Sequence, residues 1–271
     1  MRMMAAFEKG EKLRFIGHLD LMRTMQRALR RSHLPIKYSN GFNPHIRLSF
    51  AAPLSVGVAG KREMMEVPVE DGTSPAEFIQ KLNACLPPDL QIVSAKPVSD
   101  EFPTLMSLMA GSEYSIRLPR SAAADQAAAR FADFMALKEY IAVRRTKSGD
   151  ADCNIRPFVL DGGIENSETE HVIHLTIVSD PKDGALKPSL WLRCLYEFAG
   201  QDAQETEKAM IFREKMLARN KEGKLVPVDK VRGRKKAMSY LVDKSAENIT
   251  HPEDQEVIIL HADAPQDAAK L

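Results

Sequence analysis

The stretch LRFIGHLDLMRTMQRALRRSHLPIKYSNGFNPHIRLSF, residues 13–50, contains the pattern that decides the fold of the first half of the chain. Apolar side chains recur at helical spacing from Leu19 to His33, and Pro35 ends that helix because proline offers no backbone donor. A short strand is expected at Pro35–Tyr38, followed by a turn at Asn40-Gly41. A helix followed by a strand indicates an α+β unit.

Elements on either side of this stretch complete the unit. Met1–Glu8 is expected to form a strand before the helix, and Leu54–Val69 a long strand or hairpin after it. Ser74–Cys85 then predicts a helix with Pro75 near its first turn, and Asp89–Val98 a last strand. The order βαββαβ is that of a ferredoxin-like unit.

The same order recurs in the second half of the chain. The predicted elements are a strand at Glu113–Pro119, a helix at Ser121–Leu137, strands at Tyr140–Thr146, Ile155–Leu160 and His171–Val178, a helix at Pro188–Phe198, and a last strand at Ala209–Leu217 paired with Leu225–Val228. We therefore predict an α+β protein of two tandem ferredoxin-like (βαββαβ) halves, residues 1–100 and 111–230, joined near Ser99–Gly111. A partly disordered acidic tail is expected at 237–271.

The charge of the chain is unevenly distributed. Its 271 residues sum to +1, but residues 1–62 hold 12 basic and 3 acidic residues, residues 213–236 hold 10 and 3, and the remainder sums to −15. Such asymmetry favours a polyanionic partner that contacts one face of the protein. If the second basic zone folds near the first helix, both zones would form that face. No apolar run approaches the roughly 18 residues of a membrane span, and no signal peptide is evident. A cytoplasmic protein without a membrane partner is expected.

Sequence motifs give little support for a self-contained enzyme. Cys85, Cys153 and Cys194 are scattered, which predicts a reducing compartment and neither a metal site nor an iron–sulfur cluster in this chain. No P-loop, dinucleotide fingerprint, HExxH or GxSxG pattern is present.

Two adjoining segments carry the candidate binding residues. On the first helix, arginines at i, i+4, i+7 and i+8 share one face suited to phosphate: Arg23, Arg27, Arg30 and Arg31. In the loop that follows, Tyr38, Phe42 and His45 can stack on unpaired bases. Asn43 can contact a base edge, and Arg47 can hold a phosphate. The alternatives are a solvated helix face, a Phe42 that fills the core and an Asn43 that bonds its own backbone.

Residues 18–57, HLDLMRTMQRALRRSHLPIKYSNGFNPHIRLSFAAPLSVG, resemble a bacterial family of radical-SAM-linked proteins of uncharacterised function. Members of that family are found beside or fused to a radical SAM protein, often near ribosome or RNA-processing genes. The resemblance implies a radical SAM partner that carries the iron–sulfur cluster and SAM, so that this chain binds no cofactor itself. Together with the basic and aromatic residues, it predicts an accessory RNA-binding protein, for tRNA or rRNA, without catalytic activity.

Two alternatives remain open. One is a metal-independent RNA endonuclease of the type that processes CRISPR repeats, in which His18, His45 and Tyr38 serve as acid, base or orienting group. His18 follows Gly17 at the start of the helix, where backbone N–H groups can bind an anion, but a structural role is the alternative. The other is a protein-only adaptor whose basic face meets an acidic patch on the radical SAM partner.

Overall fold

A computed structural model describes residues 1–146, 149–180, 184–220, 222–233, 240–242 and 258–259. The first half contains β1 (Arg2–Lys9), α1 (His18–Arg31), β2 (Ser49–Phe50), β3 (Val58–Pro68), α2 (Pro75–Asn83) and β4 (Leu90–Val98). The short helix α3 (Leu105–Leu108) leads into the second half. The elements that follow are β5 (Gly111–Pro119), α4 (Ala122–Ala129), α5 (Phe131–Ala136), β6 (Ile141–Thr146), β7 (Gly149–Asn154), β8 (Val159–Asn166), β9 (Glu170–Asp180), β10 (Gly184–Ala185), α6 (Pro188–Phe198), β11 (Met210–Arg219), β12 (Leu225–Pro227), β13 (Val231–Gly233), β14 (Tyr240–Val242) and β15 (Ile258–Ile259).

One large mixed sheet runs through both halves. Its main path is β10-β9-β5-β11-β3-β1-β4, with β2 paired to β3, β8 to β9 and β12 to β11. The first half therefore has the order β4-β1-β3-β2 and the second β8-β9-β5-β11, each antiparallel throughout. The halves join where β11 pairs with β3 in parallel, from Ile211 opposite Val58 to Arg213 opposite Gly60. The protein is thus a mixed α+β structure built on a continuous sheet.

Helices cover one face of this sheet along its length. The apolar side predicted for α1 packs against the sheet and beside α2, with Met22 partly buried and four residues buried: Leu21, Met25, Ala28 and Leu29. In the second half α4, α5 and α6 cover β5 and β9, and the ring of Trp191 meets those of Phe131 and Phe134 edge-on. This layer positions α1 and the loop after it on the same side of the protein.

The opposite face of the first half is covered by α3 and by residues 225–231. Met4, Ala6 and Met64 pack there against Val228 and other apolar residues of these segments. Lys96 Nζ donates to Asp229 O at 2.6 Å and to Val231 O at 2.7 Å, and Arg62 forms an ion pair with the Asp229 carboxylate. Residues 225–231 therefore lie across the sheet from α1, so this part of the second basic zone does not extend the α1 surface.

Several elements differ from the sequence prediction. Only isolated bridges, Ile36 to Val69 and Tyr38 to Ile46, form where a strand was expected at 35–38. The helix predicted at 121–137 is divided at Arg130. The strand predicted at 155–160 begins at Val159, after a 3₁₀ turn, and β7 was missed because its sequence GDADCN lacks apolar alternation.

The predicted acidic tail, 237–271, falls mostly outside the described residues. Its two described pieces are strands, because β14 pairs with β13 and with β15. Residues 234–236, at the end of the basic zone 213–236, also lie outside the described residues.

Candidate nucleic-acid site

The loop after α1 is closed at its base by a short set of hydrogen bonds. The backbone of Tyr38 bridges that of Ile46. Ser39 N donates to His45 O at 2.9 Å, and His45 N donates to Ser39 Oγ at 3.0 Å. Gly41 has φ +118°, a left-handed conformation that glycine adopts without strain. Residues 40–44 therefore form a compact tip that projects from the protein.

Phe42 stands at this tip and is fully exposed to solvent. The alternative in which Phe42 fills the core is wrong, because the loop is anchored instead by Ile46 and Leu48, both buried against α1 and the sheet. Asn43 is exposed as well, and its side chain has no hydrogen bond within the described parts of the chain. Stacking on a partner would remove the apolar surface of this large aromatic ring from water, and this favours a stacked complex.

His45 is oriented by a residue that the sequence analysis did not select. Its Nδ1 lies 2.7 Å from Ser39 Oγ, which already accepts the backbone N–H of His45. Ser39 can therefore donate its own hydroxyl proton to Nδ1, an arrangement that leaves the proton of a neutral ring on Nε2. Nε2 has no partner among the described residues and faces outward as a donor. A serine directly before Asn-Gly was the only sequence signal for this bracing role.

The four arginines of α1 are all exposed, but they are not equivalent. Arg23 Nη1 lies 3.2 Å from Asp20 Oδ1, one turn earlier on the helix. Arg31 Nη2 donates to Cys85 O at 2.7 Å, because the last turn of α1 lies beside the end of α2. Arg31 therefore joins two elements of the fold. Arg27 and Arg30 have no partner in the described portion and remain available to a phosphate.

Most other basic residues of the N-terminal zone are already paired. Arg2 Nη1 binds Glu66 Oε2 at 2.6 Å, and Lys61 Nζ binds Glu214 Oε1 at 2.8 Å. Lys9 is buried, and its Nζ donates to the carbonyl of Ile16 at 3.0 Å. The basic residues of this zone that have no partner in the described part of the chain are Arg27, Arg30 and Arg47, and all three are exposed.

His18 serves packing rather than the loop site. Its ring meets Phe50 edge-on, with the centroids 5.6 Å apart, and it makes no hydrogen bond within the ranges described. His45 is held by Ser39 instead, and Tyr38, 44% exposed, belongs to the base of the loop. Within the described residues, no hydrogen bond or ring contact joins His18 to His45.

A second polar cluster, not selected from the sequence, lies in the other half. His171 is buried, and its Nε2 lies 2.8 Å from Asp125 Oδ1 while its Nδ1 lies 2.6 Å from Asn166 Oδ1. Arg120 Nε also binds Asp125 Oδ1, at 2.6 Å. The hydrogen bonds from His171 and then Arg120 hold the pKa of Asp125 below its usual value. The cluster ties the start of α4 to the turn between β8 and β9, which is a structural role.

We expect the Asp125→Asn variant to be less stable than the wild type near neutral pH and equally stable in acid. A carboxyl whose pKa is lowered on folding stabilises the protein above its unfolded pKa, and this contribution disappears as the pH falls through the folded pKa. Urea denaturation near pH 7 and at a pH low enough to protonate Asp125 in the folded protein measures the difference. Asp152→Asn, at an exposed carboxylate, is the control, and an equal deficit of Asp125→Asn at both pH values would contradict the assignment.

Within the described residues, no group of three or more His, Cys, Asp or Glu side chains is placed to hold a metal ion. In the same part of the chain, no helix has the length and apolar character needed to cross a membrane.

Comparisons with known proteins identify a family for most of the chain. A family model described as "Uncharacterized protein conserved in bacteria (DUF2344)" matches residues 2–188. A second, described as "Uncharacterised protein, DegV family", matches residues 213–271, much of which lies outside the described ranges. A solved structure titled "Crystal Structure of an Unknown Protein from Galdieria sulphuraria" is similar at 12% identity with a TM-score of 0.23, covering 78% of this chain and 95% of that chain. No curated protein matches the chain.

Proposed function

The chain belongs to the DUF2344 family of conserved bacterial proteins, and we propose that it is an accessory RNA-binding protein that holds an unpaired nucleotide of tRNA or rRNA for a radical SAM partner enzyme. The observation that carries the proposal is the fully exposed ring of Phe42 at the tip of a hydrogen-bonded loop. Sequence-tolerant recognition of single strands relies on such aromatic platforms, since every base offers a stacking face.

Each neighbouring side chain has a complementary role in this proposal. Phe42 stacks on the base, while Asn43 and the Nε2 of His45 contact its polar edge. Three arginines without partners in the described part bind the phosphates on either side: Arg27, Arg30 and Arg47. Their guanidinium groups stay charged and present a planar fork of donors to phosphate oxygens.

The architecture and the partner are further parts of the proposal. We infer that each half is a ferredoxin-like unit, an inference supported by the strand orders β4-β1-β3-β2 and β8-β9-β5-β11. The radical SAM partner is supported by the resemblance of residues 18–57 to radical-SAM-linked proteins. In this arrangement the partner, in the cytoplasm, carries the cluster and SAM, and the present chain presents the RNA.

We expect Phe42→Ala to weaken the binding of single-stranded RNA by about 5- to 150-fold, the loss that corresponds to one base–aromatic stack of about 1–3 kcal/mol. Fluorescence anisotropy of a labelled RNA measures the affinity. Phe42→Trp should retain binding, and its exposed indole should be quenched when RNA is added. The native Trp191 is buried and provides a constant background signal.

Phe15→Ala is the matched control, because Phe15 is also an exposed phenylalanine, 66% accessible, in a different turn. Both substitutions should leave the melting temperature unchanged. Equal RNA affinity of Phe42→Ala and the wild type would remove the stacking site. A stable complex with the radical SAM partner that excludes RNA after nuclease treatment would favour the protein-only adaptor.

A further inference from the structure

A cavity of about 210 Å³ lies at the seam between the two halves, away from the loop site. One wall is the segment 52–58, which leads into β3. The other wall is formed by β5, β9 and the start of α6, and Arg213 of β11 closes the interior end. Because the cavity draws on both halves, its shape depends on their relative placement across the β3–β11 pair.

Three serine hydroxyls line this cavity. Ser112 is only 5% exposed, lines the cavity, and its Oγ makes no hydrogen bond to any described residue. Ser179 on the neighbouring strand β9 lies on the same face of the sheet and lines the same space, as does Ser55 from the opposite wall. The Oγ of Ser112 is therefore open to the cavity, where it can donate a hydrogen bond to a bound group.

The charges around the cavity are of one sign. Among the described residues, its lining includes Lys187 and Arg213 and no acidic side chain. Arg213 is balanced by Glu63, which lies behind it, whereas Lys187 has no ion-pair partner in the described portion. Lys187 is also the N-cap of the 11-residue helix α6, whose N-terminal dipole favours a negative group. An anion placed here meets a cation, a helix N-terminus and three hydroxyl donors.

We propose that this cavity binds a small oxyanion, a phosphate or carboxylate carried on a compact molecule. Its volume corresponds to about seven water molecules at ~30 Å³ each, below the roughly 300 Å³ at which sites for drug-sized ligands begin. Leu54, Ile177 and Leu186 supply apolar walls for the body of such a molecule. The site is independent of the loop that we propose for RNA, and neither proposal depends on the other.

The test uses the full-length protein without RNA and two probes, inorganic phosphate and succinate, each at constant ionic strength. Two-dimensional amide NMR follows Ser112, Ser179 and Ser189, which border the cavity or begin α6. Saturable shifts confined to these amides are expected with at least one probe, and the probe that saturates distinguishes phosphate from carboxylate. Lys187→Gln removes one charge-assisted hydrogen bond to the anion, and Ser112→Val fills part of the space that the anion occupies. Each variant should therefore weaken the binding by about tenfold or more.

Lys138→Gln, with the same charge change at an exposed lysine of the second half, should leave the response unchanged. Ser112→Val adds bulk at a buried position and could prevent folding. Lys187→Gln changes an exposed residue, so it still tests the proposal if the Ser112→Val variant does not fold. No saturable shift with either probe, or shifts of unchanged affinity in Lys187→Gln, would overturn the proposal. RNA affinity is not measured in this experiment, so its outcome is separate from that of the loop variants.

Discussion

Glu63→Gln is expected to destabilise the protein by about 3–5 kcal/mol, because it leaves a buried guanidinium without its counter-charge. Glu63 and Arg213 form a bidentate pair, with Nε 2.7 Å from Oε1 and Nη2 2.5 Å from Oε2. Their side chains are only 3% and 5% exposed. The pair spans β3 and β11, the two strands that join the halves, so the loss acts on the seam of the whole sheet.

Arg213 keeps its positive charge while the pair is intact. Burial by itself would lower the pKa of Arg213, but the Glu63 carboxylate raises it above its ordinary value, so the guanidinium stays protonated. Its remaining donors reach the carbonyls of Pro53 at 3.2 Å and Ala52 at 3.3 Å. Gly60 leaves the room that Glu63 occupies, since a Cβ there would lie 2.5 Å from the Glu63 Cγ.

Chemical denaturation of matched variants tests this expectation. Replacing both residues, Glu63→Met with Arg213→Met, should cost less than Glu63→Gln alone, because no unpaired charge is left inside. Glu205→Gln, at the exposed pair with Lys208, is the control and should cost no more than about 1 kcal/mol. The assignment is wrong if Glu63→Gln costs no more than this surface control.

The local elements were largely predictable from the sequence, whereas the seam was not. The helix at Pro188–Phe198 was predicted with the bounds it has, since its apolar spacing and its initial proline are both local signals. The Glu63–Arg213 pair joins residues 150 positions apart. Nothing in the local pattern of either strand shows that partnership, because the register between β3 and β11 is set only when the sheet assembles.

The same limit applies to the candidate site. Arg2, Lys9 and Arg213 all belong to the two positive zones of the sequence, yet Lys9 and Arg213 are buried, Arg2 is partly buried, and all three are bonded within the protein. Counting charges cannot separate paired from unpaired arginines, since pairing depends on tertiary contacts. For Phe42 the sequence left burial and exposure open, and the hydrogen bonds of Ser39 to His45 are what turn the tip outward.

Arg27→Glu combined with Arg30→Glu is expected to reduce the affinity for single-stranded RNA by about 100-fold or more at low salt, since each charge-assisted contact contributes about 1.5–3 kcal/mol. Both side chains are exposed and lack partners in the described part of the chain, so stability should change by less than about 0.5 kcal/mol. The dependence of log affinity on log salt should become shallower by about 1.4, the slope of two released counterions on a single strand. Titrations of labelled RNA at several salt concentrations give both quantities.

A second double variant, Arg193→Glu with Lys208→Glu, makes the same change in net charge on the other half of the protein and separates a local site from a general electrostatic effect. Arg193 and Lys208 are exposed and lie beside Glu197 and Glu205, so neither offers a free phosphate contact. If RNA is held by α1, only the first double variant flattens the salt dependence. Equal losses in both would mean that RNA responds to overall charge, and no loss in the first would leave Phe42 and its loop without a phosphate anchor on α1.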